Sequence, residues 1–129
     1  MTPKQGFPKA ILDDIHKEKI LGICAGNDAS HRIIGIWAVV VRGRVYVRSY
    51  RMKEGGWWRT LLDDPQALIF VAGRKRGIKV RAVQVKSEAT KEAVSAAYRE
   101  KYNTRGSVGY VEEMSRSPSK DSTTELISV

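Results

Sequence analysis

The spacing of hydrophobic residues in the first third of the chain predicts one helix and two strands. Apolar residues recur at helical intervals over 8–19, which favours a short first helix. The apolar run 20–25 has the length of a strand. The longer run 33–41 has no polar position and is rich in β-branched residues, so we expect a strand that is covered on both faces. Residues 26–30, between the two runs, are turn formers.

A tight turn at Arg42-Gly43 leads into a segment of alternating character. Over 44–50, valines and a serine alternate with arginines and tyrosines, which predicts a strand with two chemically distinct faces. A short helix is predicted from Trp57 to Asp63. It should end there because Asp64 precedes a proline, which pushes the aspartate out of helical geometry.

The second half of the chain predicts a hairpin, a helix and a last strand. The hairpin joins two extended segments through a basic turn bounded by glycines, and these segments are 68–72 and 78–85. Ser87 is positioned to cap a helix that runs to about Tyr102. Residues 104–122 are rich in serine, glycine and charge, so we expect a loop. Residues 123–129 should form the last strand, which could close the sheet.

The predicted order is helix, three strands, short helix, two strands, helix, strand. Tight turns join most of the strands, which favours antiparallel pairing over a doubly wound parallel sheet. The pattern indicates a mainly β (α+β) fold, a six-stranded antiparallel barrel or strongly curved sheet with short flanking helices. With 129 residues and 42% apolar composition, the chain fits one domain over 1–129.

Positive charge is concentrated in two segments. The chain carries a net charge of +9. Residues 42–59 contain six basic residues and one acidic residue, and residues 73–81 contain five basic residues and no acidic residue. Such concentration predicts an anionic partner such as a phosphorylated small molecule, a nucleotide or a nucleic acid. A solubilising surface that binds nothing would produce the same pattern.

Several function classes are disfavoured by the residues. No apolar run is long enough to cross a membrane, and charges interrupt the N-terminal segment where a signal peptide would be apolar, so a cytoplasmic protein is expected. The single cysteine, Cys24, cannot form an internal disulfide and should be a small buried hydrophobe. Two distant histidines and one cysteine do not assemble a zinc site, and no catalytic triad or nucleotide-binding glycine pattern stands out.

The segment 45–65 combines groups that suit an anionic, ring-bearing ligand. Paired glycines allow close backbone approach, and the start of the following helix directs free N–H groups toward the same place. Upstream cations and a serine can add charge-assisted bonds, for which arginine offers two parallel donors. Together they outline a phosphate cradle of Arg48, Ser49, Arg51, Lys53, Gly55 and Gly56. An ordinary basic hairpin with a glycine turn is the alternative.

Two adjacent tryptophans begin the short helix, where neighbouring side chains point about 100° apart. One of Trp57 and Trp58 should therefore pack inward, while the other lies in a groove or at a subunit interface and could stack on a planar ring. Core packing of both is the alternative. Trp37, inside the apolar run, is expected in the core. His31 is a lone histidine, for which a structural or solvated role is commoner than catalysis.

The segment 45–65 resembles the signature of an uncharacterised prokaryotic split-barrel family. In that family a Tyr-Val-Arg-Ser stretch is followed by a Trp-Tyr-Arg helix, and here Tyr-Val-Arg-Ser is followed by Gly-Gly-Trp-Trp-Arg and a distal proline. The resemblance extends to the strand 33–41, the Ala-Tyr-Arg-Glu-Lys-Tyr helix at 97–102 and the final Thr-Thr-Glu-Leu strand. It implies a six-stranded antiparallel split β-barrel.

The same layout is similar, more weakly, to two better understood groups. Deazaflavin-dependent nitroreductases have an aromatic-rich helix that ends in an Asn-Pro step, which falls here on 57–65 with Asp64 in place of the asparagine. Pyridoxamine-phosphate oxidase-like proteins hold a flavin phosphate with a Ser-Arg-Lys cluster, near whose position lie Ser49, Arg51 and Lys53. The resemblance implies a homodimer with a flavin-type cofactor at the barrel edge near the subunit interface.

The loop 26–32 departs from the deazaflavin enzymes, in which it is rich in glycine and arginine. Asp28 stands in this loop, and only His31 and Arg32 are partial substitutes, so flavin mononucleotide (FMN) is favoured over a deazaflavin. Some split barrels bind no cofactor. We therefore predict a phosphorylated flavin-type ligand, with the cradle at its phosphate and Trp57 or Trp58, beside Arg59, at its ring.

Two further functional hypotheses remain open from the sequence. One is a non-enzymatic basic module that binds nucleic acid or another polyanion, and the other is a dimeric structural protein whose tryptophans fill an interface. A flavin protein could be an oxidoreductase, but the sequence assigns no catalytic side chain. The aromatic residues cluster in one helix instead of spreading over a sheet face, which favours the small ligand over nucleic acid.

Overall fold

The computed structural model describes residues 6–26, 33–50, 56–72, 74 and 76–129. Its helices are α1 (Lys9–Lys17), α2 (Trp57–Asp63), α3 (Glu88–Lys101) and α4 (Arg105–Met114), with a 3₁₀ turn at Ser119–Ser122. Its strands are β1 (Leu21–Ala25), β2 (Ile34–Ile36), β3 (Ala38–Val41), β4 (Arg44–Val47), β5 (Gln66–Phe70), β6 (Ile78–Gln84) and β7 (Thr124–Ser128).

The described strands form one antiparallel sheet in the order β2-β1-β5-β6-β7-β4-β3. The two strands at its edges, β2 and β3, follow each other in the chain and are separated only by Trp37. Since one residue cannot span a flat sheet of seven strands, the sheet must curl until its edges come together. The result is a nearly closed barrel that is split at Trp37, which confirms the predicted antiparallel split barrel.

The strand predicted over 33–41 is interrupted at Trp37, and this gives seven strands where six were expected. Its first part pairs with β1 and its second part with β4, so the chain changes neighbours within one residue. The expectation that this run is covered on both faces is wrong for its first part. Ile33 and Ile34 are 59% and 41% exposed because β2 is an edge strand with one described neighbour.

Two apolar clusters lie on opposite sides of the sheet. The barrel interior is filled by inward side chains of the strands and is closed by Trp57 and Leu61 of α2. The second cluster lies between the outer face of the sheet and α3 with α4, and it includes Tyr46, Tyr98 and Met114. β4 contributes alternate residues to each cluster, as its alternating sequence predicts. The side chain that follows on the Tyr46 face is that of Arg48.

Most of the predicted local elements are confirmed to within a few residues. Helix α2 has the predicted bounds, and Ser87 caps α3 by accepting a 3.2 Å bond from the Thr90 amide. The predicted hairpin turn has positive φ angles of 53° at Arg42 and 77° at Gly43. Cys24 is buried, as expected. Within the described ranges, no helix has the length and apolar character that a membrane crossing requires.

The predicted loop 104–122 is wrong, because its first half is the helix α4. Val111 and Met114, three residues apart, are buried against α3 and the sheet. Their spacing was the available signal, and the glycines and serines around them masked it. Gly106 and Gly109 have open space where a side chain would be, so they weaken the helical pattern without any packing requirement for glycine.

Candidate functional site

A cavity of about 450 Å³ lies at the split of the barrel. Its walls come from β2, the residues after β4, the start of α2 and one face of α4. The volume is within the range of about 300–1,000 Å³ that is usual for small-molecule sites. Most of the lining is apolar, and four aromatic side chains contribute to it: Trp37, Tyr50, Trp57 and Tyr110. A flat, largely apolar molecule suits such walls.

Trp37 forms one wall of this cavity and is held from behind by Tyr102. The two rings stack with centroids 4.3 Å apart and planes 7° apart. The hydroxyl of Tyr98 donates a 2.8 Å bond to the backbone oxygen of Trp37. Tyr110 meets the Trp37 ring edge-on at 6.2 Å and the Tyr50 ring at 5.3 Å. Trp37 packs against the outer apolar cluster, as a core residue would, but it is only half-buried, because the strand switches edges at this residue and leaves part of the ring at the cavity.

The structure separates the two adjacent tryptophans of α2. Trp57 is buried beside Leu61 in the barrel core and also lines the cavity. Trp58 does not line the cavity, and its indole nitrogen donates a 2.9 Å hydrogen bond to the side-chain oxygen of Gln84 on β6. The guanidinium of Arg59 lies 6.0 Å from the Trp58 ring centroid. Of the three sequence-predicted ring contacts, only Trp57 therefore lines this cavity.

Arg48 is almost completely buried, with 2% of its surface exposed. Its Nε donates to the hydroxyl of Thr123 at 2.7 Å, and its Nη1 donates to the hydroxyl of Ser95 at 2.9 Å and to the carbonyl of Met114 at 2.8 Å. Its Nη2 donates to the carbonyl of Lys91 at 2.8 Å. Burial lowers the pKa of this guanidinium. One side chain thus joins β4 to α3, to the end of α4 and to the residue before β7.

These four bonds change the role expected for Arg48. An arginine has five N–H donors, and four of them are already directed to neutral acceptors inside the protein. The two-bond grip on a phosphate that the sequence suggested would require some of these bonds to break. The arginine instead holds Met114, and with it the α4 wall of the cavity, against the barrel.

Ser49 and Gly56 also line the cavity. The backbone amide of Ser49 donates to the hydroxyl of Ser122 at 2.8 Å, and its carbonyl accepts from the hydroxyl of Ser119 at 2.8 Å. The 3₁₀ turn therefore fixes this part of the wall. Gly56 directly precedes α2. Because this helix has only seven residues, few peptide dipoles add up at its N-terminus.

Five of the predicted site residues lie outside the described residues. They are His31, Arg32, Arg51, Lys53 and Gly55. The chain places 51–55 between Tyr50 and Gly56, both of which line the cavity, and places 31–32 directly before Ile33. Arg51 therefore directly follows a cavity residue, and Arg32 lies two positions before the lining residue Ile34.

Large apolar side chains are exposed around the cavity. Ile34, Tyr50 and Tyr110 line it and are 41%, 39% and 51% exposed, and Ile33, next to Ile34 in the chain, is also exposed. We call these four residues the apolar rim. Exposed apolar surface of this extent commonly marks a surface that contacts another molecule.

Four sequence-predicted site residues line the cavity, Arg48, Ser49, Gly56 and Trp57, and sequence reasoning missed the other seven lining residues, which include Trp37, Tyr110 and Met114. The helical spacing of Val111 and Met114 was a sequence signal for α4, the helix that carries both Met114 and Tyr110. Nothing local distinguishes Trp37 from a core residue, since the strand break depends on which strands are its neighbours.

Comparison with known proteins gives one family and several related folds. The family described as "Uncharacterized protein conserved in bacteria (DUF2255)" matches residues 12–126. No functionally curated protein matches the sequence. Among solved structures, a putative pyridoxamine 5′-phosphate oxidase from Listeria innocua has a TM-score of 0.60 at 12% identity, with 93% of this chain and 90% of that chain covered.

Two further solved structures have the same fold. HutZ, the heme storage protein from Vibrio cholerae, has a TM-score of 0.60 at 17% identity, with 92% of this chain and 85% of that chain covered. The FAD binding protein from Mycobacterium smegmatis has a TM-score of 0.54 at 14% identity, with 95% and 88% covered. At such identities the likeness establishes the fold alone.

Proposed function

The chain belongs to the DUF2255 family of uncharacterised bacterial proteins, and we propose that it binds a phosphorylated flavin-type cofactor, specifically flavin mononucleotide, in the cavity at the split of its barrel. The observation that carries the proposal is the aromatic cavity itself. Its lining ends at two points where the chain continues into basic residues. A structural neighbour is named as an FAD binding protein, which supports a flavin in a barrel of this shape.

The described residues suit the ring system of such a ligand. The flavin ring system is flat and mostly apolar, and it would contact Trp37 and Trp57, with Tyr110 at the mouth. In this proposal the polar edge of the ring lies toward the wall at Ser49 and Gly56.

We assign the phosphate to cations that are close in sequence to the cavity lining. Arg51 and Lys53, with Gly55 for close backbone approach, follow Tyr50 in the chain and are our first choice. His31 and Arg32 are the second group of candidates. Arg48 acts by positioning, because its donors hold α4 and α3 in place. Trp58 bonds to β6 and Arg59 lies near the Trp58 ring, and neither is part of this site in the proposal.

A bound flavin supplies two-electron redox chemistry, and on this basis we propose an oxidoreductase. The protein's residues bind the ring, orient it and exclude water from its buried face. The substrate would enter from the mouth, where Tyr50 and Tyr110 are exposed. We expect this to occur in the cytoplasm, where Cys24 stays reduced.

Titration with flavin mononucleotide tests the proposal directly. We expect saturable quenching of flavin and tryptophan fluorescence at micromolar ligand, with one flavin per chain, because Trp37 and Trp57 would contact the ring. FAD should bind more weakly, since the adenylate has no assigned place. Hemin is the competing occupant suggested by the heme storage protein, and a Soret band with tight 1:1 binding would favour it. Purified protein without colour, and no quenching at tens of micromolar flavin, would contradict the proposal.

We further propose that two copies of the chain associate through the apolar rim and complete the cavity. The rim includes β2, an edge strand with exposed isoleucines, and Tyr110 of α4. A partner placed there would cover the apolar mouth of the cavity and remove several large side chains from water. It would also bring the partner's residues within reach of the ligand.

Placing a charge in the rim should separate the two copies. Ile34→Glu puts a carboxylate in the centre of the proposed interface, where burying it would cost several kcal/mol. We expect the wild type to sediment as a dimer and the variant as a monomer in analytical ultracentrifugation. Leu62→Glu is the matched control, because Leu62 is also exposed but lies on α2 outside the rim. A monomeric wild type, or a Leu62 variant that dissociates as readily, would refute this interface.

A further inference from the structure

A second cavity, of about 270 Å³, lies between the end of α1, β3 and the end of α3. It shares no described lining residue with the cavity at the barrel split. Its titratable lining residues are His16, Lys17, Lys19, Glu100 and Lys101, and β3 contributes only apolar side chains. The wall therefore carries three lysines and a histidine against one carboxylate.

Lys101 is fixed in this wall by the protein. Its ammonium donates to the carbonyl of Ile15 at 2.8 Å and to the carbonyl of Ala38 at 2.7 Å. Two of its three N–H donors are therefore directed to α1 and β3, and one is left over. Among the described residues, neither Lys101 nor Lys17 nor Lys19 forms an ion pair with a carboxylate. The positive charge of the cavity is not neutralised by protein groups at contact distance.

Two of these ammonium groups lie near the ring of Tyr102. The ammonium of Lys101 lies 5.2 Å from its centroid and that of Lys19 lies 5.7 Å from it. The hydroxyl of Tyr102 donates a 2.6 Å bond to the backbone oxygen of Lys19, which fixes the segment after α1. Two like charges therefore lie near the same aromatic ring.

Burial and the neighbouring positive charge of Lys19 lower the pKa of Lys101 to about 8, and the charge of Glu18 acts in the opposite direction. The other titratable groups that face Lys101 are His16 and Lys17 at the end of α1 and Glu100 and Tyr102 around the end of α3. An anion among these groups would remove the repulsion that disfavours the ammonium form. It would also use the N–H donor that Lys101 has left over.

We propose that this second cavity binds a small phosphorylated molecule, with Lys101, Lys19 and Lys17 around the phosphate and His16 at the edge. The volume admits a phosphate ester of a small metabolite and is smaller than the cavity at the barrel split. The proposal does not depend on flavin binding, because the two sites have different walls.

Isothermal titration calorimetry with inorganic pyrophosphate and with ribose 5-phosphate tests the site. We expect saturable 1:1 binding at pH 7. A higher affinity for ribose 5-phosphate than for pyrophosphate would indicate that the site prefers a phosphate ester to the inorganic ion. Lys19→Gln and Lys17→Gln should each weaken binding by about fivefold, because each removes a charge from an exposed position that the fold does not need. Lys79→Gln, the same change on the exposed face of β6, should leave affinity within about twofold.

Two measurements distinguish binding in this cavity from nonspecific attraction of anions to a basic protein. They are the pH dependence of the affinity and the NMR resonance of the His16 imidazole. Binding requires the ammonium form of Lys101, so affinity should fall as pH rises from 7 to 9, and this fall should shrink in Lys101→Met. The imidazole resonance that disappears in His16→Gln should shift on titration. Saturating flavin mononucleotide should leave the affinity unchanged. The proposal would be overturned by any one of four results. These are no binding at millimolar ligand, equal losses of affinity in the Lys79 and Lys19 variants, a His16 resonance that does not shift, or competition by the flavin.

Discussion

Replacing Arg48 by methionine should lower the free energy of unfolding by about 3 kcal/mol or more. Methionine fills much of the same space, so the loss reports mainly on the hydrogen bonds. Four acceptors lose their donor at once, and those on Lys91 and Met114 are backbone carbonyls of α3 and α4. A buried acceptor without a donor costs about 1–3 kcal/mol, which sets the scale of the effect.

Urea denaturation at neutral pH measures this change. Arg105→Met is the matched control, because it makes the same substitution at an exposed position at the start of α4 and should change stability by less than about 0.5 kcal/mol. Arg48→Lys should recover little, since one ammonium cannot reach acceptors in all the directions that the guanidinium serves. A loss below about 1 kcal/mol for Arg48→Met would mean that these acceptors find other donors.

Replacing Trp37 by leucine should weaken flavin binding by roughly tenfold, which corresponds to the loss of about 1.4 kcal/mol of ring contact. Trp37 lines the cavity, and its stacking on Tyr102 holds the indole flat against the wall. Leucine keeps an apolar side chain at the strand break but removes the planar surface. The comparison is made by titrating flavin mononucleotide and following flavin fluorescence.

Trp58→Leu is the control, since it removes the same ring from a position that faces Gln84 and β6. We expect flavin affinity within about twofold of wild type, with a stability loss of about 1 kcal/mol from the broken hydrogen bond. Urea denaturation of both variants checks that affinity is compared between folded proteins. If Trp58→Leu bound flavin more weakly and Trp37→Leu bound it as the wild type does, the flavin ring would lie on the Trp58 side of α2. That result would refute the proposed site.

The two predictions concern residues whose roles differ from what local sequence suggests. Arg48 occupies an alternating strand and has the appearance of a surface cation available for phosphate. Its partners come from residues 43 to 75 positions away in the chain, so no local pattern could identify them. Trp37 lies in an uninterrupted apolar run, and only the pairing of β2 with β1 and of β3 with β4 places it at a corner.

Elements that depend on neighbours in sequence were predicted well. The helix α2 has the expected bounds, because the proline after Asp64 ends it whatever surrounds it. The cap of α3 by Ser87 is equally local. The family resemblance read from 45–65 is confirmed by the match over 12–126, since it also rests on a contiguous pattern.

The sequence by itself determined the mainly β barrel, its tight turns, its concentrated positive charge and its family, because each of these depends on residue types within a few positions of each other. The tertiary structure alone decided where the sheet splits, which of the two α2 tryptophans lines the cavity and that Arg48 is buried against α3 and α4. It also revealed the second basic cavity, whose lysines come from both ends of the chain. These features arise from contacts between distant segments, and such contacts form only when the barrel closes.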